Sequence, residues 1–151
     1  MTNFEKAMEF VATWEWRGRA DGFPTDDPKD PGGYTRWGIS QRAHPEVDVK
    51  NLDLVGALDI YRKQYWNVMN CDSFPMPMAV ALMDSAVNTG VGRTKKFLQG
   101  IDLDDPFAWA RLCEKRIEFY LSLKNPRFEK GWLGRVNDLK KYITIKQYEG
   151  R

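Results

Sequence analysis

Histidine, cysteine and long apolar runs are all scarce in this chain, and each scarcity removes a class of function. His44 is the only histidine among 151 residues, and the two cysteines, Cys71 and Cys113, have neither zinc-type spacing nor a histidine partner nearby. They read as free thiols, buried or inert, with a disulfide as the open alternative. No apolar run approaches the length needed to span a bilayer, so stable membrane insertion is not expected. The first helical segment carries Glu5, Lys6 and Glu9 where an export signal needs apolar residues, and the expectation is a protein made in the cytoplasm without a signal peptide. An excess of one charge is also missing. With 23 Lys and Arg against 21 Asp and Glu, the net charge of +2 does not announce nucleic acid as a partner.

The residues that are present suit one globular domain. Hydrophobic residues make up 42% and charged residues 29%, enough apolar material for a core and too much for disorder. Helical spacing predicts a first helix over Phe4 to Trp14, with Thr2 or Asn3 as its N-cap. A surface helix follows Asp53, where Leu52 before an Asp N-cap can meet Ala57. Pro77 to Gly90 is apolar nearly all round and predicts a central helix. Further helices are expected over Arg93 to Leu98, from about Pro106 to Leu123, and from near Glu129 to Tyr142. Strand signals are weak: a short hairpin around Gly33 to Ile39, and the β-prone run Tyr142 to Ile145. The fold class is mostly α, in a single domain over residues 1–151.

Chemistry concentrates between Trp14 and Ser40. At about 100° per residue, Met8, Val11 and Glu15 fall within about 40° of the direction of Phe4, so Glu15 continues the apolar stripe. Partial burial, the negative end of the helix dipole and the neighbours Trp14 and Trp16 all disfavour the ionised form, and predict a carboxyl that keeps its proton as a general acid must. The segment that follows is rich in Gly, Pro and Asp, including Asp21, Asp26, Asp27 and Asp30. A loop this long in a compact domain is usually functional, and Phe23, Tyr34 and Trp37 favour an ordered one. Glu15 facing solvated aspartates provides the two kinds of carboxyl group that cleavage of a glycosidic bond requires. On the central helix Asp84 and Asn88 share a face and must either pair internally or line a cleft. An EF-hand calcium loop is excluded, because no start among these aspartates places a glutamate at the closing position.

These residues resemble glycoside hydrolase family 108, the phage and bacterial N-acetylmuramidases. The resemblance rests on Phe4 to Glu15, Asp27-Pro28, Asp30-Pro31-Gly32-Gly33, Thr35 and Trp37-Gly38-Ile39. It continues in Tyr61-Arg62, Tyr65-Trp66, Asp84 to Gly90, Leu98-Gln99, Gly131-Trp132 and Arg135-Val136. It implies a lysozyme-like helical fold with a long catalytic loop or short hairpin after the first helix. It also implies a muramidase that cuts the β-1,4 bond between N-acetylmuramic acid and N-acetylglucosamine, such as a phage endolysin. The implied site is Glu15 as acid, Asp30 as second carboxylate with Asp27 close behind, and Thr35 holding the attacking water. Trp37 and Asn88 are the candidates for sugar contact. No metal or cofactor is implied, the partner is a peptidoglycan glycan strand, and the expected state is a monomer that reaches the wall through a holin lesion or a secretion apparatus. Two departures stand out: about three extra residues after Glu15, which make Asp21 a rival acid, and a short Gly100 to Asp105 segment where many relatives carry a wall-binding stretch. An inactive wall-binding protein and a chitin or chitosan hydrolase are the alternatives.

Overall fold

The computed structural model describes residues 1–151 and contains six α-helices and one small hairpin. Helix α1 spans Asn3–Trp16, and it starts where Thr2 accepts from the Glu5 amide while the Glu5 carboxylate accepts from the Thr2 amide. That reciprocal cap contributes about 1 kcal/mol. The helix stops at Arg17, whose left-handed backbone (φ 55°) returns its N–H to the Ala12 carbonyl. Phe4, Met8 and Val11 are buried along the inward face, as the wheel required.

Strands β1 (Thr35–Arg36) and β2 (Ile39–Ser40) pair antiparallel, with Thr35 opposite Ser40 and Arg36 opposite Ile39. Trp37 and Gly38 form the two-residue turn, and both have positive φ, 55° and 71°. A turn of this hand matches the twist of its strands, but it strains a tryptophan. Packing offsets the strain: Trp37 is 4% exposed, its indole N–H donates to the Leu52 carbonyl at 2.8 Å, and Trp16 meets it edge-on at 5.7 Å. Its backbone N–H reaches the Gly22 carbonyl, so the long loop before the hairpin is fastened to the core through Trp37. Gly22 is the residue this permits, since a Cβ there would lie 2.5 Å from the indole ring.

Helix α2 (Leu54–Tyr61) is capped by Asp53 and continues through a π-type turn over Arg62–Trp66. Helix α3 (Met76–Thr89) is the central element: Met78 to Ala86 are buried without interruption, and α1, α5, α6 and α4 pack around it. Helices α4 (Val91–Leu98), α5 (Ala108–Ser122) and α6 (Pro126–Glu149) complete the shell. No helix is long and apolar enough to cross a membrane. Both thiols are free and buried, and burial pushes Cys71 up to about 12 and Cys113 to about 11, so neither is a nucleophile near neutral pH.

The last helix corrects the sequence expectation. It begins at Pro126, in the first turn where a missing N–H costs nothing, and it runs on through Tyr142 to Ile145. That β-prone run stays helical because Ile143 is fully buried and the Tyr142 hydroxyl donates to the Lys6 carbonyl of α1 at 2.8 Å. Tertiary packing overrides the local preference.

Candidate active site

Glu15 lies on the last turn of α1, with its side chain 22% exposed. Its Oε1 accepts from Arg135 Nη1 of α6 at 2.9 Å. Its other flank is the hairpin turn: a Cβ placed on Gly38 would lie 2.8 Å from Glu15 Cβ and 3.2 Å from Glu15 Oε2. Gly38 therefore lets the turn close directly onto the carboxylate. The Tyr61 hydroxyl donates to the Trp37 carbonyl at 2.8 Å and holds the turn from below. Burial, with the Glu15 charge as a further cause, pushes the Tyr61 and Tyr65 phenols up, so both stay neutral beside it.

Behind Glu15 runs a buried chain of charges. Arg135 donates through Nε and Nη2 to Asp84 Oδ1 at 3.0 and 2.7 Å, and Asp84 Oδ2 accepts from Arg116 Nη1 at 2.9 Å. Arg116 also donates to Tyr120 and, at 3.2 Å, to Asn88 Oδ1, which accepts from the Tyr120 hydroxyl as well. Burial alone would raise the Asp84 carboxyl, but the two guanidinium groups outweigh it and hold Asp84 below the usual carboxylate range. Asp84 and Asn88 thus pair internally through Arg116, and the half-buried Asn88 keeps its amide N–H groups free of protein partners.

The loop carboxylates live differently. Asp30 is exposed, its Oδ1 accepts from the Gly32 amide at 2.8 Å, and its carbonyl accepts from Gly33. Asp27 likewise caps the Lys29 amide. Thr35 exchanges both backbone hydrogen bonds with Thr25 at 2.8 and 2.9 Å, and its half-buried hydroxyl has no protein partner. The Asp30 turn leans on β2, where a Cβ on Gly32 would be 3.3 Å from Ser40 Cβ. Asp30, Thr35 and Gly38 therefore belong to one wall, and Glu15 touches that wall at Gly38.

Three sequence expectations need adjusting. Trp37 is enclosed on all sides and offers no open ring face to a sugar; it anchors the loop. Asp21, the rival acid, is exposed and held by Arg19 through two bonds of 3.0 and 2.7 Å, and those bonds with the Phe23 amide keep it below the ordinary carboxylate range. A carboxylate held ionised does not serve as a proton donor at neutral pH. The sequence pattern gives Glu15 only apolar neighbours, whereas the structure sets the guanidinium of Arg135 against it. A signal for Arg135 existed: it lies on the same face of α6 as Trp132 and Leu139, and Arg116 sits in the stripe of Leu112 and Tyr120. An arginine in a buried stripe demands a buried acid.

A family model described as Glycosyl hydrolase 108 matches residues 10–90, the part that carries Glu15, Asp30, Thr35, Asp84 and Asn88. The solved structure of SagA from Brucella abortus is 30% identical, covers 94% of this chain and 94% of its own, and superposes with a TM-score of 0.69. No curated protein matches the chain.

Proposed function

Because the chain belongs to glycosyl hydrolase family 108, and is thus a glycoside hydrolase of the peptidoglycan-degrading kind, we propose that it is an N-acetylmuramidase. In this reading Glu15 protonates the oxygen linking N-acetylmuramic acid to N-acetylglucosamine. The C1–O bond breaks, and its electron pair stays with the leaving oxygen. Water adds to C1 from the loop side, held by the Thr35 hydroxyl, and passes its proton to Asp30. The Thr35 hydroxyl suits this task because it is not spent inside the protein and can donate and accept at once. Asn88, with free amide donors, contacts the sugar.

The observation that carries the reading is the contact of Glu15 with the hairpin glycine, which sets a helix-borne carboxyl against the loop that bears Asp30 and Thr35. A monomeric lytic enzyme of this kind, such as a phage endolysin, would reach the wall through a holin lesion or a secretion apparatus. The test is digestion of purified peptidoglycan followed by borohydride reduction of the new ends. Reduced muramic acid is the expected product. Reduced glucosamine would assign the other bond, and binding without new reducing ends would make the protein a wall-binding module.

A further inference from the structure

We propose that Arg135 is the positioning residue of the catalytic acid, with its aim fixed by Asp84 and Arg116. The inference rests on Glu15 being the acid. A guanidinium is a rigid plane of five donors. Here two of its nitrogens, Nε and Nη2, are committed to Asp84 Oδ1 at 3.0 and 2.7 Å, and the third, Nη1, is aimed at Glu15 Oε1 at 2.9 Å. Asp84 cannot yield, because its other oxygen is held by Arg116 Nη1 at 2.9 Å. Arg116 is held in turn by Tyr120 Oη, at 3.3 Å from Nε and 3.0 Å from Nη2, and by Asn88.

Burial makes this arrangement costly for anything except geometry. The side chains of Arg116, Asp84 and Arg135 are 0%, 1% and 6% exposed, and replacing a buried triad of charges by well-packed apolar residues often costs no stability. What apolar residues cannot do is hold a carboxylate by one chosen oxygen. With Oε1 occupied by Arg135, the oxygen that faces the hairpin is Oε2, at 3.2 Å from the position a Gly38 Cβ would take. Oε2 is therefore the oxygen placed to deliver the proton to a sugar lying against the hairpin. When that proton moves to the glycosidic oxygen and the C1–O pair goes to the leaving group, Glu15 is left ionised beside Arg135, which stabilises the new carboxylate without having to move.

The groups facing Glu15 are few. They are Arg135 on α6, Tyr61 on α2 and Tyr65 just beyond it, with Asp84 behind Arg135. Both tyrosines stay neutral across the working range, so Arg135 is the only cation in contact with the acid. The experiment measures kcat and KM on purified peptidoglycan from pH 4 to 9, with melting temperatures, for the native protein, Arg135→Lys and Arg135→Gln. Arg135→Gln should lower kcat by about 10²-fold with KM within about twofold, and move the basic limb of the profile to higher pH. Arg135→Lys should keep that limb in place, because the charge remains, yet lose about tenfold in kcat because an ammonium cannot grip both carboxylates.

If both variants only melt earlier and keep the native limbs and kcat below their melting points, Arg135 is structural and the inference fails. Should the variants not fold, side-chain ¹⁵N NMR of the native protein decides. Hindered rotation of the Arg135 guanidinium, altered by Glu15→Gln, supports the proposal, and free rotation overturns it. Full activity in Glu15→Gln would instead sink the assignment of the acid itself, so the two failures are told apart.

Discussion

Glu15 and Asp30 are both carboxylates, and their surroundings could hardly differ more. Glu15 stands on a fourteen-residue helix and is gripped by an arginine that side chains of two further helices, α3 and α5, keep in place. Asp30 stands in an exposed turn and is steadied by the backbone amide of Gly32, two residues away. One group is positioned by an arginine 120 positions distant in sequence, the other by its own neighbours. The difference teaches where precision comes from: the acid inherits the rigidity of the core, whereas the base side owes its order to turn chemistry and to a single tryptophan anchor.

The comparison breaks most severely at Asp84. Asp84→Asn leaves the buried Arg116 with no carboxylate partner and Arg135 with Glu15 alone, and should cost about 3 to 5 kcal/mol, lowering the melting temperature by on the order of 10 °C in calorimetry. Asp84 also sets a pH dependence. Its folded carboxyl is depressed, so its contribution is complete above the unfolded value of about 3.9 and is lost as pH falls through the lower folded value. The native melting temperature should therefore drop below about pH 4, and Asp84→Asn should flatten that drop.

At the seam between the two walls, Gly38→Ala should cost about 1 to 3 kcal/mol and about 10²-fold in activity, since the new methyl meets Tyr61 Oη at 2.5 Å and Glu15 Cβ at 2.8 Å. On the loop wall, Asp30→Asn should lower wall hydrolysis by about 10²-fold with little change in melting, and Asp27→Asn by only a few fold. Equal losses at both would mean that the turn as a whole, rather than one carboxylate, serves the water. The smallest effect is expected at Asp21→Asn, where an exposed surface pair is lost: activity and melting temperature should both stay native, and a large loss of activity would restore Asp21 as a candidate.

How legible this was from sequence follows the same divide. Whatever is local could be read. The α1 stripe and the Thr2 cap gave the helix under Glu15, the Asp53 cap gave the start of α2, and the apolar run to Gly90 gave the central helix. The hairpin was expected around Gly33 to Ile39, and it forms on either side of Trp37 and Gly38. What depends on distant partners could not be read. The Tyr142 to Ile145 run was β-prone in isolation and is helical because α1 packs against it. Asp84 and Asn88 share a face on any helical wheel, but their partners, Arg116 and Arg135, lie 28 to 51 residues away along the chain and are recognisable only as arginines on apolar stripes. Trp37 had the composition of a sugar platform, and only its enclosure by Trp16, Gly22 and Leu52 shows it to be an anchor.

The most direct measurement is the release of reducing ends from purified peptidoglycan by the native protein and by Glu15→Gln, with both checked for equal melting temperature. Glutamine keeps the shape of the side chain and an oxygen for Arg135, yet has no proton to give. The account predicts that hydrolysis falls by at least about 10²-fold while binding to the wall persists. Near-native hydrolysis by Glu15→Gln would contradict it.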